Sequence, residues 1–268
     1  MRPKSDSAIV DALLETGRPP FKIIDVHGHM GMWSGIWFPN PEPADMIRTM
    51  DRCGVERLAF AHHDALQDST VGNRKAQEAV LAYPDRFFGY CAVNPNYPEQ
   101  LKSTVDGFSD LEGFVGYKIL AGYYGTPIDL PACRPLWEHA DANELVVLLH
   151  TWGGDNHAGC ERIRKVVAEF PKVTILMGHS QYGDWDEAIS CARDLENVYC
   201  ELTAAYGVGG VVQKMVDAGI EDKVIFGTDL PWFDPMHGVG CVVFANITDV
   251  ARKKILRDNA LRILDKWM

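Results

Sequence analysis

The sequence predicts an α/β protein, a (β/α)8 TIM barrel of one domain over residues 1–268, with residues 1–20 as an N-terminal extension. Eight short apolar runs alternate with helical patterns, and this count suits the roughly 250 residues typical of such a barrel. Each run is apolar at consecutive positions, as in parallel strands covered on both faces. Strict alternation of eight strands favours a closed barrel over a doubly wound open sheet. No linker, low-complexity stretch or repeat divides the chain.

Each predicted strand is one of these apolar runs. The strands are predicted at 22–27, 57–61, 87–93, 114–119, 145–150, 172–177, 198–202 and 223–227. Proline, glycine and capping residues mark the ends of the helices between them. Helices are predicted at 41–54, 73–83, 97–108 (the weakest pattern), 131–143, 157–170, 184–195, 208–218, 249–256 and 258–267.

Charge and cysteine content narrow the class of protein. The chain has 26 Lys and Arg against 37 Asp and Glu, so its net charge is −11. An acidic chain of this kind argues against a nucleic-acid or anionic-membrane surface. Seven cysteines without a C-x-x-C pair favour a reducing compartment over a disulfide framework. No apolar run has the length of a membrane span or a signal peptide, so we expect a cytoplasmic protein.

Polar side chains follow the apolar runs where each predicted strand ends, which is where barrel enzymes place their active sites. His27 and His29 are alternate residues of an extended segment, so both can offer an imidazole to one ion. Lys118, Glu201 and Thr203 lie near the ends of strands four and seven. The other residues of this set are His150 after strand five, His179 after strand six and Asp229 after strand eight.

Five motifs in this order resemble the amidohydrolase superfamily over essentially the whole chain. They are Asp25-Val26-His27-Gly28-His29, Leu149-His150-Thr151, Gly178-His179-Ser180, Phe226-Gly227-Thr228-Asp229-Leu230-Pro231 and Asp258-Asn259-Ala260-Leu261-Arg262-Ile263-Leu264. The branch resembled is the amidohydrolase-related one. It includes metal-dependent hydrolases and non-oxidative decarboxylases similar to aminocarboxymuconate-semialdehyde decarboxylase.

The resemblance implies a divalent metal, commonly zinc, held by His27, His29, His150 and Asp229. It implies that His179 is a further ligand or an acid/base residue beside the metal. Manganese, iron and cobalt suit the same donors. Lys118 has two readings, a carbamylated bridge between two metals or an ammonium that binds a substrate carboxylate, and we favour the ammonium. Glu201 either orients a histidine or acts directly in catalysis.

Aromatic residues in the loops after the strands point to a small-molecule substrate. A pocket walled by aromatic rings suits a flat or cyclic carboxylated molecule. With Lys118, the predicted substrate-binding residues are Trp33, Trp37, Tyr123, Trp152 and Trp232. The apolar loop at 30–39 has a second reading, burial against a partner subunit, so a homodimer or larger homo-oligomer is expected. One of His62 and His63, after strand two, is a further candidate for substrate contact.

The leading hypothesis is a metal-dependent hydrolase of a small carboxylated, lactone or amide substrate. Metal-activated water would attack the carbonyl, and Asp229 or His179 would move the proton. The alternative is a metal-dependent non-oxidative decarboxylase, a lyase that uses the same site on a small aromatic or unsaturated acid. A third reading, a catalytically idle barrel kept for binding, is disfavoured by the intact set of ligands.

Overall fold

The computed structural model describes residues 5–268 and has the eight-stranded parallel barrel that the sequence predicts. Residues 1–4 of the predicted extension lie outside the described residues. The strands follow one another in chain order around the sheet. They are β1 Ile23–Met30, β2 Val55–His62, β3 Phe87–Ala92, β4 Phe114–Ile119, β5 Val146–Trp152, β6 Thr174–Tyr182, β7 Val198–Glu201 and β8 Val224–Ile225.

The barrel closes between β1 and the segment that follows β8. The backbone N–H of Val26 donates to the Phe226 carbonyl at 3.1 Å, and that of His29 donates to the Leu230 carbonyl at 2.7 Å. The buried carboxylate of Asp25 adds a second tie, because it accepts from the Thr228 hydroxyl at 2.5 Å and from the Thr228 N–H at 3.1 Å. Residues 226–230 therefore run beside β1 and bring the end of β8 next to its two histidines.

Helices surround the barrel and connect successive strands. They are α1 Ala8–Thr16, α2 Pro43–Cys53, α3 Ser69–Ala82, α4 Pro98–Asp106, α5 Ala121–Tyr124, α6 Arg134–Ala142, α7 Cys160–Glu169, α8 Trp185–Asp194, α9 Val211–Asp217, α10 Pro235–Val243, α11 Asp249–Lys253 and α12 Asn259–Leu264. The sequence did not predict α1, α5 or α10. The two predicted C-terminal helices are joined, since a π-helical turn, Lys254–Asp258, connects α11 to α12.

The core has two layers, which explains why the strands are apolar at consecutive positions. Side chains such as Ile24, Tyr90 and Leu148 fill the barrel interior, while alternate residues such as Ile23 and Cys91 pack outward against the helices. Both layers are buried, as expected of a parallel barrel. The apolar filling ends before the carboxyl ends of the strands, and the polar residues of the site occupy that end.

Two further findings concern the chain as a whole. All seven cysteines are free, in agreement with the expectation of no disulfide framework. Within residues 5–268, no helix combines the length and the apolar character needed to cross a membrane.

Gly116 marks a close approach of β4 to β5, and it gives a test of the barrel geometry. A Cβ at this position would lie 1.7 Å from the Val146 carbonyl oxygen. We expect Gly116→Ala to lower the free energy of unfolding by about 3 kcal/mol or more, because backbone must move. Gly219 has φ +74° with no atom within 4 Å of an added Cβ, so Gly219→Ala costs only the left-handed strain, about 1 kcal/mol. Urea unfolding measures both, and equal losses would contradict this packing.

Candidate metal centre

Two imidazoles and one carboxylate converge at the open end of the barrel. One ligand atom from each of His27, His179 and Asp229 lies within 4.8 Å of the other two. The Asp229 Oδ1 atom is 3.0 Å from His27 Nε2 and 3.2 Å from His29 Nε2. The structure therefore brings together four of the residues that the sequence singled out, from β1, β6 and the segment after β8.

In His27, His29 and His179 a hydrogen bond holds Nδ1, so Nε2 is the ring nitrogen that faces the site. Each Nδ1 lies beside an acceptor: the Glu201 carboxylate at 2.7 Å for His27, the Ala61 carbonyl at 3.3 Å for His29, and the Thr203 carbonyl at 3.2 Å for His179. A carbonyl or carboxylate can only accept, so Nδ1–H donates in all three. The Nε2 atoms of His29 and His179 then carry available lone pairs, which is the arrangement that metal-binding histidines use, whereas the lone pair of His27 Nε2 accepts from Lys118 Nζ at 2.8 Å.

Glu201, at the end of β7, organises this cluster from below. Its Oε2 accepts from His27 Nδ1 at 2.7 Å and from the His179 backbone N–H at 3.2 Å. Its Oε1 accepts from the Thr203 N–H and hydroxyl, both at 2.6 Å. The side chain is fully buried, and four donors satisfy it. Of the two roles expected for Glu201, the geometry favours orientation of a histidine.

The backbone carries two of the site residues in a conformation that most residues avoid. His179 has φ +67° and Asp229 has φ +63°, and Ser180 and Gln181 continue the left-handed turn. Strain of this kind persists only where surrounding contacts fix it, and it concentrates at functional sites. Ser180 Oγ donates to the Glu201 carbonyl at 2.7 Å, and the Gln181 N–H donates to the Thr151 hydroxyl at 3.0 Å. These bonds hold the turn.

Burial and charge set the protonation states of the cluster. Burial lowers the pKa of His29 to about 4 and the pKa of His179 well below its usual value, so both are neutral ligands at pH 7. Burial would raise the pKa of Asp229, but His27 outweighs it and holds that pKa well below its usual range. Burial also lowers the pKa of His27, yet Asp229 and Glu201 prevail and raise it. Asp229 and Glu201 thus favour positive charge on the His27 ring itself.

Lys118 supplies a positive charge beside His27. Its Nζ lies 2.8 Å from His27 Nε2, and its side chain is buried beneath the cluster rather than at the cavity wall. Burial lowers the pKa of Lys118 to about 8, although Asp229 and Glu201 oppose this shift. Lys118 therefore does not line the cavity, and its expected role in binding a substrate carboxylate stays a prediction.

The residues present fit a divalent cation. Asp229 Oδ1 is buried and has no hydrogen-bond donor among the described residues, although two imidazole nitrogens face it at 3.0 and 3.2 Å. A buried carboxylate oxygen without a donor, next to nitrogen lone pairs, is stabilised by a shared metal ion. His27, His179 and Asp229 would hold the ion, with His29 beside them.

His150 and the aromatic loops form the wall above the cluster. The rings of His150 and His179 are 4.7 Å apart between centroids, so His150 borders the tight group and its role as a metal ligand stays a prediction. A cavity of about 240 Å³ opens over these residues. Trp33, Tyr123, Trp152 and Trp232 line this cavity, as the sequence predicts. Asp229 is the single carboxylate in the lining within residues 5–268, and neither lysine nor arginine contributes.

Trp37 and the two histidines after β2 lie elsewhere. Trp37 is 76% exposed and is not part of the cavity wall, because its neighbour Phe38 turns inward and stacks on His63 at 5.4 Å. The expected homo-oligomer stays a prediction. His62 lines a separate groove with Asp64 and Lys75. His63 is buried behind the wall, where burial lowers its pKa to about 3 and no substrate can touch it. No local sequence pattern pointed to its contacts.

Comparison with known proteins places these features in a wider group. The family model described as Amidohydrolase matches residues 24–266. A gamma-resorcylate decarboxylase from a Rhizobium species is 23% identical over an alignment that covers 81% of this chain and 85% of that protein. One from Rhodococcus jostii is 22% identical, covering 80% of this chain and 81% of that protein.

Two solved structures share the fold over nearly the whole chain. A 2,6-dihydroxybenzoate decarboxylase in complex with 2,6-dihydroxybenzoate has a TM-score of 0.74 at 17% identity, covering 92% of this chain and 99% of that one. A 5-carboxyvanillate decarboxylase from Novosphingobium aromaticivorans, in complex with manganese and 4-hydroxy-3-methoxy-5-nitrobenzoic acid, has a TM-score of 0.71 at 15% identity. That match covers 92% of this chain and 96% of the other.

The role of Glu201 in holding the ligands leads to a prediction. All four partners of its carboxylate are donors, so Glu201→Gln sets an amide N–H₂ against donors and disturbs His27 or Thr203. We expect the dissociation constant for Mn²⁺ or Zn²⁺ to rise about 10- to 100-fold, as for other partners of ligating histidines. Competition with a chelator of known affinity measures it.

Thr203→Val is the matched control, since it removes one donor from the Oε1 side of Glu201 and leaves the bond to His27. We expect this variant to lose thermal stability with little change in metal affinity. A Glu201→Gln protein that binds metal as tightly as the wild type would refute the role.

Proposed function

The chain belongs to the amidohydrolase family, and we propose that it is a metal-dependent, non-oxidative decarboxylase of small aromatic acids. The observation that carries the proposal is the cavity whose aromatic walls lead down to His179 and Asp229. Aromatic walls of this kind accept a flat ring, and the cluster beneath them supplies groups for an acidic substituent. The relatives support the same class of substrate, since two solved neighbours hold hydroxylated benzoic acids.

The leading expectation from the sequence, a hydrolase, is wrong. The curated relatives that match this chain are gamma-resorcylate decarboxylases, and the solved neighbours include decarboxylases of dihydroxybenzoate and carboxyvanillate. They favour the alternative reading, decarboxylation at the same site. The motifs could not separate the two reactions, because both use the same ligands on the same strands.

The proposed reaction replaces a ring carboxylate by hydrogen. The bond from ring carbon to carboxylate breaks, its electron pair stays on the ring, carbon dioxide leaves, and the ring carbon takes one proton. A divalent metal supplies Lewis-acid polarisation of the substrate oxygens when bound. Asp229 lines the cavity and delivers the proton after taking one from the substrate hydroxyl or from water.

The identity of the metal is the finer part of this proposal. The sequence favoured zinc, whereas two similar structures, the carboxyvanillate decarboxylase and a dihydroxybenzoic acid decarboxylase from Polaromonas, carry manganese. Imidazole and carboxylate donors accept both ions, so availability and geometry decide between them. We propose that either ion supports activity.

The proton that replaces the carboxylate gives the sharpest test of decarboxylation. We expect metal-loaded protein to release one carbon dioxide per phenol formed from 2,6-dihydroxybenzoate or a related 2-hydroxybenzoate. In D₂O the product should carry one deuterium at the vacated carbon, which NMR detects. Asp229→Asn should lower kcat by about 10²- to 10⁴-fold, because the proton-transferring group is lost.

Asp85→Asn is the matched control, since Asp85 is exposed in the turn before β3, at the opposite end of the barrel. It should keep full activity. Metal content is measured alongside, so that loss of the ion is separated from loss of the proton donor. Metal-loaded wild type that releases no carbon dioxide from any hydroxybenzoate tested would refute the proposal.

Removal of the metal gives an independent prediction. Dialysis against a chelator should abolish carbon dioxide release, because the substrate oxygens lose their Lewis acid. Addition of Mn²⁺ or Zn²⁺ should restore it, whereas Ca²⁺, which prefers six to eight oxygen ligands, should not. Full activity in protein shown by elemental analysis to be free of metal would contradict the metal-dependent reading.

A further inference from the structure

We propose that His63 is a positioning residue that fixes the indole of Trp232 and thereby sets one wall of the substrate cavity. This inference rests on the proposed function in that it speaks of a substrate, but its contacts are those of the protein alone. His63 is 1% exposed and does not line the cavity, whereas Trp232 does. Any effect of His63 on a bound molecule must therefore pass through the residues that it holds.

The hydrogen bonds of His63 leave one arrangement of its ring proton. Nδ1 lies 2.6 Å from the Gly31 carbonyl oxygen, which can only accept, so Nδ1 carries the hydrogen. Nε2 then presents a lone pair, and the Trp232 indole N–H donates to it at 2.9 Å. An indole N–H has no other role than donor, so the pair is complementary. One neutral imidazole thus ties the loop after β1 to the loop after β8.

Ring packing holds His63 itself in place. Its ring stacks on His29 at 5.0 Å with 13° between planes, and Phe38 stacks on it at 5.4 Å with 11°. Trp232 meets His63 edge to face at 5.8 Å, and it meets Phe38 in the same way at 4.9 Å. With two ring faces and both nitrogens engaged, His63 has no freedom to turn. The position of Trp232 is therefore set relative to His29, a residue of the metal centre.

This arrangement determines where a bound ring can lie. Trp232 is 37% exposed and sits on a loop, and the bond to His63 is the one hydrogen bond that its side chain makes within residues 5–268. The bond to His63 fixes the indole before the substrate arrives, and preorganisation of this kind lowers the entropic cost of binding. Loss of the bond should weaken binding and relax selectivity for ring substituents, while the chemistry at the metal continues.

Two substitutions separate the two bonds of His63. The Asn amide reaches the position of Nδ1, so His63→Asn keeps the donor to Gly31 and loses the acceptor for Trp232. The Gln side chain reaches the position of Nε2, so His63→Gln keeps an acceptor for Trp232. Trp232→Phe removes the indole N–H while keeping a ring. Trp152→Phe is the matched control, since Trp152 lines the same cavity and its ring contacts within residues 5–268 are with His150, His179 and Tyr182 rather than with His63 or Trp232.

The measurements are the dissociation constants of 2,6-dihydroxybenzoate and its 4-methyl derivative on metal-loaded protein, together with KM and kcat. We expect His63→Asn to raise Kd and KM about five- to tenfold with kcat within about twofold. It should also bring the Kd values of the two ligands closer together. His63→Gln should stay near the wild type, Trp232→Phe should match His63→Asn, and the double variant should add nothing further. Trp152→Phe should lack this coupling to His63.

Several results would overturn the positioning role of His63. Equal defects in His63→Asn and His63→Gln, additive effects in the double variant, or a fall in kcat and thermal stability with Kd unchanged would each overturn the positioning role. So would failure of the wild type to bind either ligand. Binding that follows the expected pattern in protein that releases no carbon dioxide would support the role of His63 and refute decarboxylation, so the two failures are distinguishable.

Discussion

The buried carboxylate of Glu201 is the constraint on which the metal centre depends. A charged group with no exposure is stable only when its lone pairs are fully engaged, and Glu201 achieves this with four donors from three residues. Two of those donors belong to His27 and His179, which come from opposite parts of the chain. The same bonds that stabilise the carboxylate therefore orient one ligand and hold the strained turn that carries another. One set of contacts therefore provides both the stability of the buried carboxylate and the geometry of the ligands.

Much of the barrel could be predicted from the sequence, because each parallel strand is buried on both faces and shows as an apolar run. The sequence also predicted that the barrel closes, but not which residues pair to close it. β8 is only Val224–Ile225, and residues 226–230 pair with β1 through backbone bonds that leave no mark on side-chain pattern. Helix α10 was missed for a related reason, since its two glycines and three valines have low helix propensity. Gly238 is kept there because an added Cβ would lie 3.0 Å from Tyr206 and Phe226.

Within the site, strand periodicity correctly paired the two histidines of β1, whereas the loop aromatics placed over the cavity included one, Trp37, that does not line it. His27 and His29 were paired because alternate strand residues share a face, and their rings are 5.5 Å apart. Trp37 and Phe38 are equally aromatic neighbours, yet only one can turn inward. The stack on His63 selects Phe38, and Trp37 is left exposed. That choice depends on His63, which directly follows β2, and on Trp232, which lies beyond β8. No local sequence pattern records contacts between segments so far apart in the chain.

The choice between hydrolysis and decarboxylation likewise depends on features outside the motifs. Imidazoles and a carboxylate around a cation can activate water or bind an acid, so the motifs that encode them are common to both reactions. What separates the two is the surface above the ligands, because a hydrolase must seat a water against a carbonyl, whereas a decarboxylase must seat a ring and deliver one proton. Here that surface is aromatic, Asp229 is its one carboxylate, and Lys118 is buried below it against His27. A substrate ring would thus meet apolar walls on its sides and charge only at its acidic end, which favours loss of carbon dioxide over attack by water.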